Sequence, residues 1–535
     1  MKTPKACRQC RESKRRCIRS TQTVGEPCEP CHKRKLRCAG TLGRLSSAPT
    51  LLFPKPDLLP NDGATSLAGL DSEALDISPE TATVLVQYYL VKLHNRPHSL
   101  FHPTRLLKQV ADGSLSRPLL LALCSMGSRF SPDTDLRGRE ICLMDESKRL
   151  LLADLENICV ENIQTCILIA NLCSAHLKPT SEALFFRIAI SMAQIMNIGA
   201  SPGALIELEI RRRTWWALFM ADRWSSSGLG LHRQIRDSGL AVDLPMDEAV
   251  FEALPPDAIR LDTAWQPGLW AHMISLVQIF GPVQDLNRRS AQGNMAPLEI
   301  ERAVDALSHQ LENWQAALPV DMQMSDRNLD HHCARGTGGP FVALHLGYHH
   351  YATLLYFRFL EPGAMTPTAQ AYRERCTFHA SRYSGLVRLA RSRGDCDAVY
   401  PTVGHMAVVS SAVLLHTLLF GDEEDLAAAR DAMNANFEAI VELSQYWPNT
   451  ASMIHRIVTF QNFCLLSTDY KTHQLDGWMI RFLIEYSLPL EEKDVQPVRS
   501  GMSLDMDSFS ARTQVLTEQG RYTTFETEDS ATWVM

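Results

Sequence analysis

The chain lacks the features that mark secreted, membrane-spanning and nucleotide-handling proteins. Its opening residues, Met1-Lys2-Thr3-Pro4-Lys5-Ala6-Cys7, offer no apolar core for a secretory signal. No run reaches the ~18 apolar residues that a membrane helix needs. The nearest, Met406 to Phe420, is shorter and carries Ser410, Ser411 and His416. It reads as a buried helix, and no membrane partner is expected. Gly-x-Ser-x-Gly, a phosphate-cradling glycine loop and a dinucleotide fingerprint are all missing, so an enzyme has no residues to rest on. Alternating β-branched runs are scarce, which argues against sheet.

What is present divides the chain. It has 535 residues, enough for roughly two to four folding units. Hydrophobic residues make up 45% and charged residues 21%, so most of it can bury a core. The net charge of -7 hides an asymmetry. Residues 1–38 hold five Lys, seven Arg and three Glu, a surplus of nine positive charges on an otherwise acidic chain. A basic arm on an acidic body points to a polyanion met by the arm.

Six of the 15 cysteines fall within that arm. Their spacing is Cys7-x2-Cys10-x6-Cys17-x10-Cys28-x2-Cys31-x6-Cys38, so C-x2-C-x6-C occurs twice. Without a secretory signal the expected compartment is reducing, where close cysteines favour metal over disulfides. Two C-x2-C pairs alone would suggest one tetrahedral zinc. Two four-coordinate zincs need eight ligand positions, and six thiolates fill them only if two of them bridge. Two Zn²⁺ and six thiolates carry a net charge of −2, which nearby Lys and Arg can offset. A segment this short with few large apolar side chains cannot bury an adequate core, so metal must supply its folding energy. Each six-residue spacer can hold a short helix: Arg11 to Arg16, then His32 to Arg37. Within the zinc frame, Arg11, Lys14, Arg15, Arg16, Lys33, Arg34 and Lys35 become a phosphate-binding surface. A metal-storage role would not need twelve basic residues, and a RING-like module usually spreads more ligands over a longer stretch.

Residues 7–38, "CRQCRESKRRC" and "PCEPCHKRKLRC", resemble the fungal zinc-cluster transcription factors at all six cysteines. The resemblance implies two zinc ions per chain, with Cys7 and Cys28 as the bridging thiolates. It implies that Lys14 reads a CGG triplet in the major groove, and that Arg11 supports the cluster and the DNA backbone. Ser13 stands where a second basic residue is common. A second resemblance covers roughly 80–420. Arg187 to Ala193, Asn197-Ile198-Gly199, Glu209, Arg211 to Arg213, Trp215-Trp216, Leu218-Phe219, Asp222-Arg223, Ile235, Asp237 and Leu244-Pro245 resemble the fungal-specific transcription factor domain. Gly230-Leu231-His232 replaces the usual Gly-Arg-Pro.

Four zones follow. Residues 1–40 are the zinc-cluster DNA-binding module, with two short helices around two zincs. Residues 41–80, with Pro49, Pro54, Pro56 and Pro60, are a linker in which no sustained coiled coil can form. Residues 81–488 form a large all-α domain, with long loops expected near 225–262 and 325–340. An amphipathic helix over Arg211 to Phe219 should place its Trp and Phe in the core, with Glu209, Arg213, Asp222 and Arg223 in ion pairs. A ligand pocket within the domain is the alternative use of such residues. His331-His332-Cys333 and His349-His350 lack a second pair at ligand spacing and are expected in loop or core roles. Residues 489–535 read as an acidic, disordered tail, in which Phe509, Phe525 and Trp533 amid acidic residues suit an activation segment contacting the transcription machinery. The whole implies a nuclear protein that binds double-stranded DNA and regulates RNA polymerase II genes through CGG-type half-sites, such as those of a metabolic gene cluster. Any homodimer would form through the helical domain. The rival reading is a zinc-dependent protein-interaction module on a helical scaffold.

Overall fold

The computed structural model describes residues 77–487 and 513–522, apart from short breaks at 97–98, 200–202, 238–241, 256–257, 259–263, 361–366, 395, 397 and 467–476. These residues are helical almost throughout, as the sequence leads one to expect. The pairing outside helices is an isolated bridge between Met246 and Pro267.

In chain order the helices are α1 Pro79–Lys92, α2 Pro103–Asp112, α3 Arg117–Ser128, α4 Thr134–Gly138, α5 Glu140–Ala153, α6 Val160–Ala175, α7 Pro179–Ile195 and α8 Leu205–Gly228. They continue with α9 Glu248–Glu252, α10 Leu269–Ala291, α11 Pro297–Ala316, α12 Asp326–Ala334, α13 Gly338–Tyr356 and α14 Pro367–Arg391. Last come α15 Thr402–Phe420, α16 Glu423–Ser444, α17 Thr450–Leu466 and α18 Gly477–Ile484. Many begin at proline, whose missing N–H costs nothing in the first turn. α1 shows the device: Pro79 opens it, and the Ser78 hydroxyl accepts from Thr81 N at 3.2 Å.

Two helices lie at the centre. α15 buries nearly every residue from Val403 to Leu419, and α13 nearly every one from Gly338 to Tyr356. A helix apolar all round has no solvent face to display, so periodicity says little about it. α15 is apolar and long enough to cross a membrane, yet 94% of its apolar window is buried inside the fold. α14 packs on both of these helices, α16 and α17 on α15, and α10 and α11 on α13. An earlier layer packs α3 on α1 and α5, and α6 on α7. At Gly127 the α3 backbone passes so close to Leu85 that an added Cβ would fall 1.9 Å from the Leu85 carbonyl oxygen. Some inner polar side chains bond one another. Asn436 Nδ2 donates to Ser410 Oγ at 3.0 Å and to Ser411 Oγ at 3.1 Å, and Ser410 Oγ donates to Ala380 O at 2.9 Å.

Several local expectations change. The stretch 325–340 is not a loop: Ser325 caps α12, accepting from Asn328 N at 3.2 Å, and Leu329 and His332 are buried. Residues 225–228 still belong to α8. By sequence Val84, Leu85, Tyr88, Val91 and Leu93 suit a helix with a broad apolar face, but in α1 the buried face is Ala82, Leu85, Val86 and Tyr89, while Val84 and Val91 are 42% and 63% exposed. In the tail, residues 513–518 are helical. There Arg521 donates to the carbonyls of Leu418 at 3.1 Å and Gly421 at 3.0 Å, capping the end of α15. Tyr522 Oη lies 3.1 Å from Asn462 Oδ1.

Candidate functional site in the helical domain

The residues expected to bind zinc or DNA are Cys7, Cys10, Cys17, Cys28, Cys31, Cys38, Arg11, Lys14, Arg15, Arg16, Lys33, Arg34 and Lys35. All lie outside the described residues. What the structure displays is the motif of the helical domain and the cavity behind it.

The motif is carried by α8. Glu209 and Arg213 stand one turn apart, both fully buried, with Arg213 Nε donating to Glu209 Oε1 at 2.8 Å. The other Arg213 nitrogens donate to Ser99 Oγ and, at 2.7 Å, to Met246 O. The Glu209 carboxylate also accepts from Met246 N at 3.0 Å and Arg212 Nη1 at 2.7 Å. The Arg213 guanidinium lies over the Phe251 ring, 4.3 Å from its centre. One ion pair thus ties the segment before α2, the helix α8 and the loop near Met246 together. Trp216 and Phe219 are buried as expected, and Trp216 Nε1 donates to Asp243 O at 2.8 Å.

Three turns on, Asp222 accepts from the backbone N–H of Gln234 and of Ile235, both at 3.0 Å. Arg223 reaches Asp222 at 3.3 Å and Asp237 at 2.5 Å, with its guanidinium over Phe219. Burial lowers the Arg223 pKa, and its carboxylate partners oppose that shift. Arg233 pairs with both Asp237 and Asp285. Gly230 ends α8 in the left-handed region at φ 63°, where glycine is at home. The motif is therefore a pair of charged clamps that hold residues 229–237 and 242–247 against α8. Its charges are paired within the protein, which makes it scaffold, although Arg223 Nε and Arg233 Nη1 are buried without a hydrogen-bond partner.

A cavity of about 130 Å³ lies beside α8, between α6, α7, α15, α17 and residues 486–487. Phe186, Met220 and Val408 give it apolar walls. Its polar members are Glu182 on α7, His405 on α15, Arg456 on α17 and Tyr486 after α18. Burial pushes the Glu182 carboxyl up to about 7, against a weaker opposing hydrogen bond from Ser174. Burial brings the Arg456 guanidinium down to about 10, with no carboxylate opposing it. His405 is driven well below its usual value by burial and then by His350 and Arg456. It stacks on Tyr486 at 4.1 Å between ring centres. Tyr486 is held in turn by its hydroxyl, which donates to Trp224 O at 3.0 Å.

A larger concavity of about 600 Å³ opens between α11, α13 and α14. Within it Arg375 holds Glu312 at 2.5 Å and also reaches Tyr356 Oη and Ser308 Oγ, while Arg382 at its edge is exposed. His349 and His379 meet there, Nδ1 to Nδ1 at 2.9 Å, both held neutral chiefly by burial. His350 stacks on Trp224, and His332 stacks on Phe341 while its Nδ1 meets Thr337 Oγ1 at 2.9 Å. These histidines take core positions. Cys333 faces Cys396 with its sulfur 2.7 Å away.

Sequence reading singled out the α8 clamps but not Glu182 or Arg456. Each is one charge in an apolar stretch, beside Phe185-Phe186 and Met453-Ile454 respectively. That local clash is the signal that could have marked them, but their proximity comes from the fold.

A profile of the family described as "Fungal specific transcription factor domain" matches residues 86–316. The Zn(2)-C6 fungal-type transcription factor FTF1c of Fusarium oxysporum f. sp. lycopersici is 22% identical over 430 residues, covering 70% of this chain and 45% of that protein. The related factor FTF2 of the same fungus is 23% identical over 439 residues, covering 72% and 40%. An uncharacterized transcriptional regulatory protein of Schizosaccharomyces pombe is 22% identical over 329 residues, covering 54% and 34%. The chain spans about half the length, or less, of these curated relatives. No solved structure matches. The clamps of α8 lie inside the matched region, and the chain is similar along most of its length to fungal transcription factors.

Proposed function

We infer that the chain is a nuclear, sequence-specific DNA-binding regulator of RNA polymerase II genes. The observation that carries this reading is the doubled C-x2-C-x6-C spacing set among twelve basic residues, ahead of the matched domain. Six cysteine thiolates are a donor set suited to zinc. Cys7, Cys10, Cys17, Cys28, Cys31 and Cys38 would hold two ions, whose contribution is to fold the module and position its basic side chains. Lys14 reads a CGG-type half-site from the major groove, while Arg11, Arg15, Arg16, Lys33, Arg34 and Lys35 bind phosphates and set register. The prolines at 49, 54, 56 and 60 prevent a paired coil behind the cluster. Residues 1–80 therefore act as a monomer on one half-site, and pairing comes from the helical domain. The acidic, aromatic-bearing segments of 489–535 contact the transcription machinery, and the targets suit a metabolic gene cluster.

The test is selection of bound duplexes from a random pool by the full chain. Enrichment of CGG with loosely constrained spacing is expected. Zinc uptake without any enriched sequence would favour a protein-interaction module instead.

A further inference from the structure

The cavity beside α8 holds two charges that the protein leaves without opposite partners. Among the described residues, neither Glu182 nor Arg456 has an oppositely charged group within 4 Å. Arg456 donates one nitrogen to the Phe482 carbonyl and lies 4.3 Å from the centre of the Phe482 ring. Its Nε is sealed from solvent without a hydrogen-bond partner. Arg456 as a whole is half-buried, and a guanidinium largely withdrawn from bulk water with no anion is costly, so folds ordinarily pair it or expose it. The motif arginines of this same domain show the ordinary solution: Arg213 and Arg223 each have a carboxylate.

The two unmatched groups line one small, mostly apolar space closed from several directions. The closing segment is fixed to α8. Ser487 N donates to Gly228 O at 3.0 Å, and Ser227 Oγ donates to Ile484 O at 3.2 Å. A volume of about 130 Å³ is close to the ~150 Å³ of a cavity that admits benzene. Water could fill it but would bring no charge to Arg456.

We propose that this cavity is a binding site for a compact organic monocarboxylate bearing one hydrogen-bond donor, such as an α-amino or α-hydroxy acid. The carboxylate pairs with Arg456 through a guanidinium nitrogen that donates to no protein group among the described residues. The donor takes the Glu182 carboxyl, and Phe186, Met220 and Val408 accept a short aliphatic side chain. The rigid walls and the volume limit the ligand to a few carbon atoms. An occupied cavity would join α7, α8, α17 and the segment after α18 more firmly than an empty one, and so make the ligand an effector of the domain. Only that last consequence rests on the regulatory function proposed above.

The experiment follows thermal unfolding of the full chain with millimolar propionate, L-lactate, L-alanine, L-valine and L-alaninamide. It needs no DNA, so its failure leaves the zinc-cluster reading untouched. L-Lactate or an amino acid should raise Tm by at least about 2 °C, propionate less, and L-alaninamide not at all. Arg456→Met should abolish the shift without lowering the unliganded Tm, because it removes an unmatched charge. Glu182→Gln should keep a response to propionate and lose the advantage of L-alanine over it. A shift by L-alaninamide equal to that by L-alanine would overturn the proposal. So would the absence of any shift, or an undiminished shift in both variants. A fall in the unliganded Tm of Arg456→Met would assign Arg456 a structural role and likewise overturn it.

Discussion

Residues 1–40 and residues 77–487 differ in what their sequences offer to offset the entropy of folding. The first stretch has six cysteines, twelve Lys and Arg and scarcely any large apolar side chain. The second encloses α13 and α15 on all sides and sinks even Arg213 out of water, because Glu209 is there to meet it. On the reading proposed here, one region is folded by metal and presents charge outward, while the other is folded by burial and turns its charges inward. On that reading the same residue type, arginine, is a phosphate contact in one and a clamp in the other. Composition alone does not separate those uses; the partner does.

Arg213→Met breaks that comparison where the helical region is most exposed to failure. It leaves the buried Glu209 carboxylate with Arg212 and Met246 N as its remaining partners and removes the bonds to Ser99 and Met246 O; breaking a buried pair typically costs about 3–5 kcal/mol, a large part of a domain's stability. Denaturant unfolding should show that loss, and the zinc content of the chain should not change. A loss below about 1 kcal/mol would mean that the clamp is dispensable.

Glu182 sharpens the contrast between matched and unmatched charge. It faces Ser174 on α6 and Tyr486 after α18, with Cys173 and Lys178 nearby. Its folded pKa, near 7, lies above the ordinary carboxylate value of 4.5, so the folded state holds the proton longer. Its contribution is therefore complete below about pH 4.5 and is lost as pH rises to about 7, by up to about 3 kcal/mol. Glu182→Gln should flatten stability between those limits and raise it at pH 8. An unchanged pH profile would show that Glu182 is solvated.

Within the basic arm the comparison is finer. Lys14→Ala should remove about 1–3 kcal/mol of discrimination for CGG over a scrambled triplet. Lys33→Ala should weaken both duplexes alike and reduce the slope of affinity against salt by about one ion. Equal losses on both duplexes for Lys14→Ala, in an anisotropy titration, would make it a phosphate contact.

The helical class, the α8 motif with its ion pairs and the burial of Met406 to Phe420 were legible because each depends on local spacing or on length. Helix faces were less so. In α1 the run of apolar residues over 84–93 offers more than one face, and packing against α3 at Gly127 selects the one holding Leu85 and Tyr89. The α12 helix was hidden because its polar residues outnumber its buried ones and Ser325 marks its start weakly. The cavity was not legible at all. Glu182 and Arg456 are far apart in sequence, and what distinguishes them is the partner each lacks, which only three-dimensional packing reveals.

The most direct test of the central claim is duplex binding by the full chain before and after zinc removal. A zinc chelator should abolish specific binding to a CGG duplex, leave the helical circular dichroism signal nearly unchanged, and be reversed by added zinc. Specific binding that survives complete removal of zinc, or a collapse of the helical signal together with binding, would contradict the division of this chain into a metal-folded reader and a burial-folded regulatory domain.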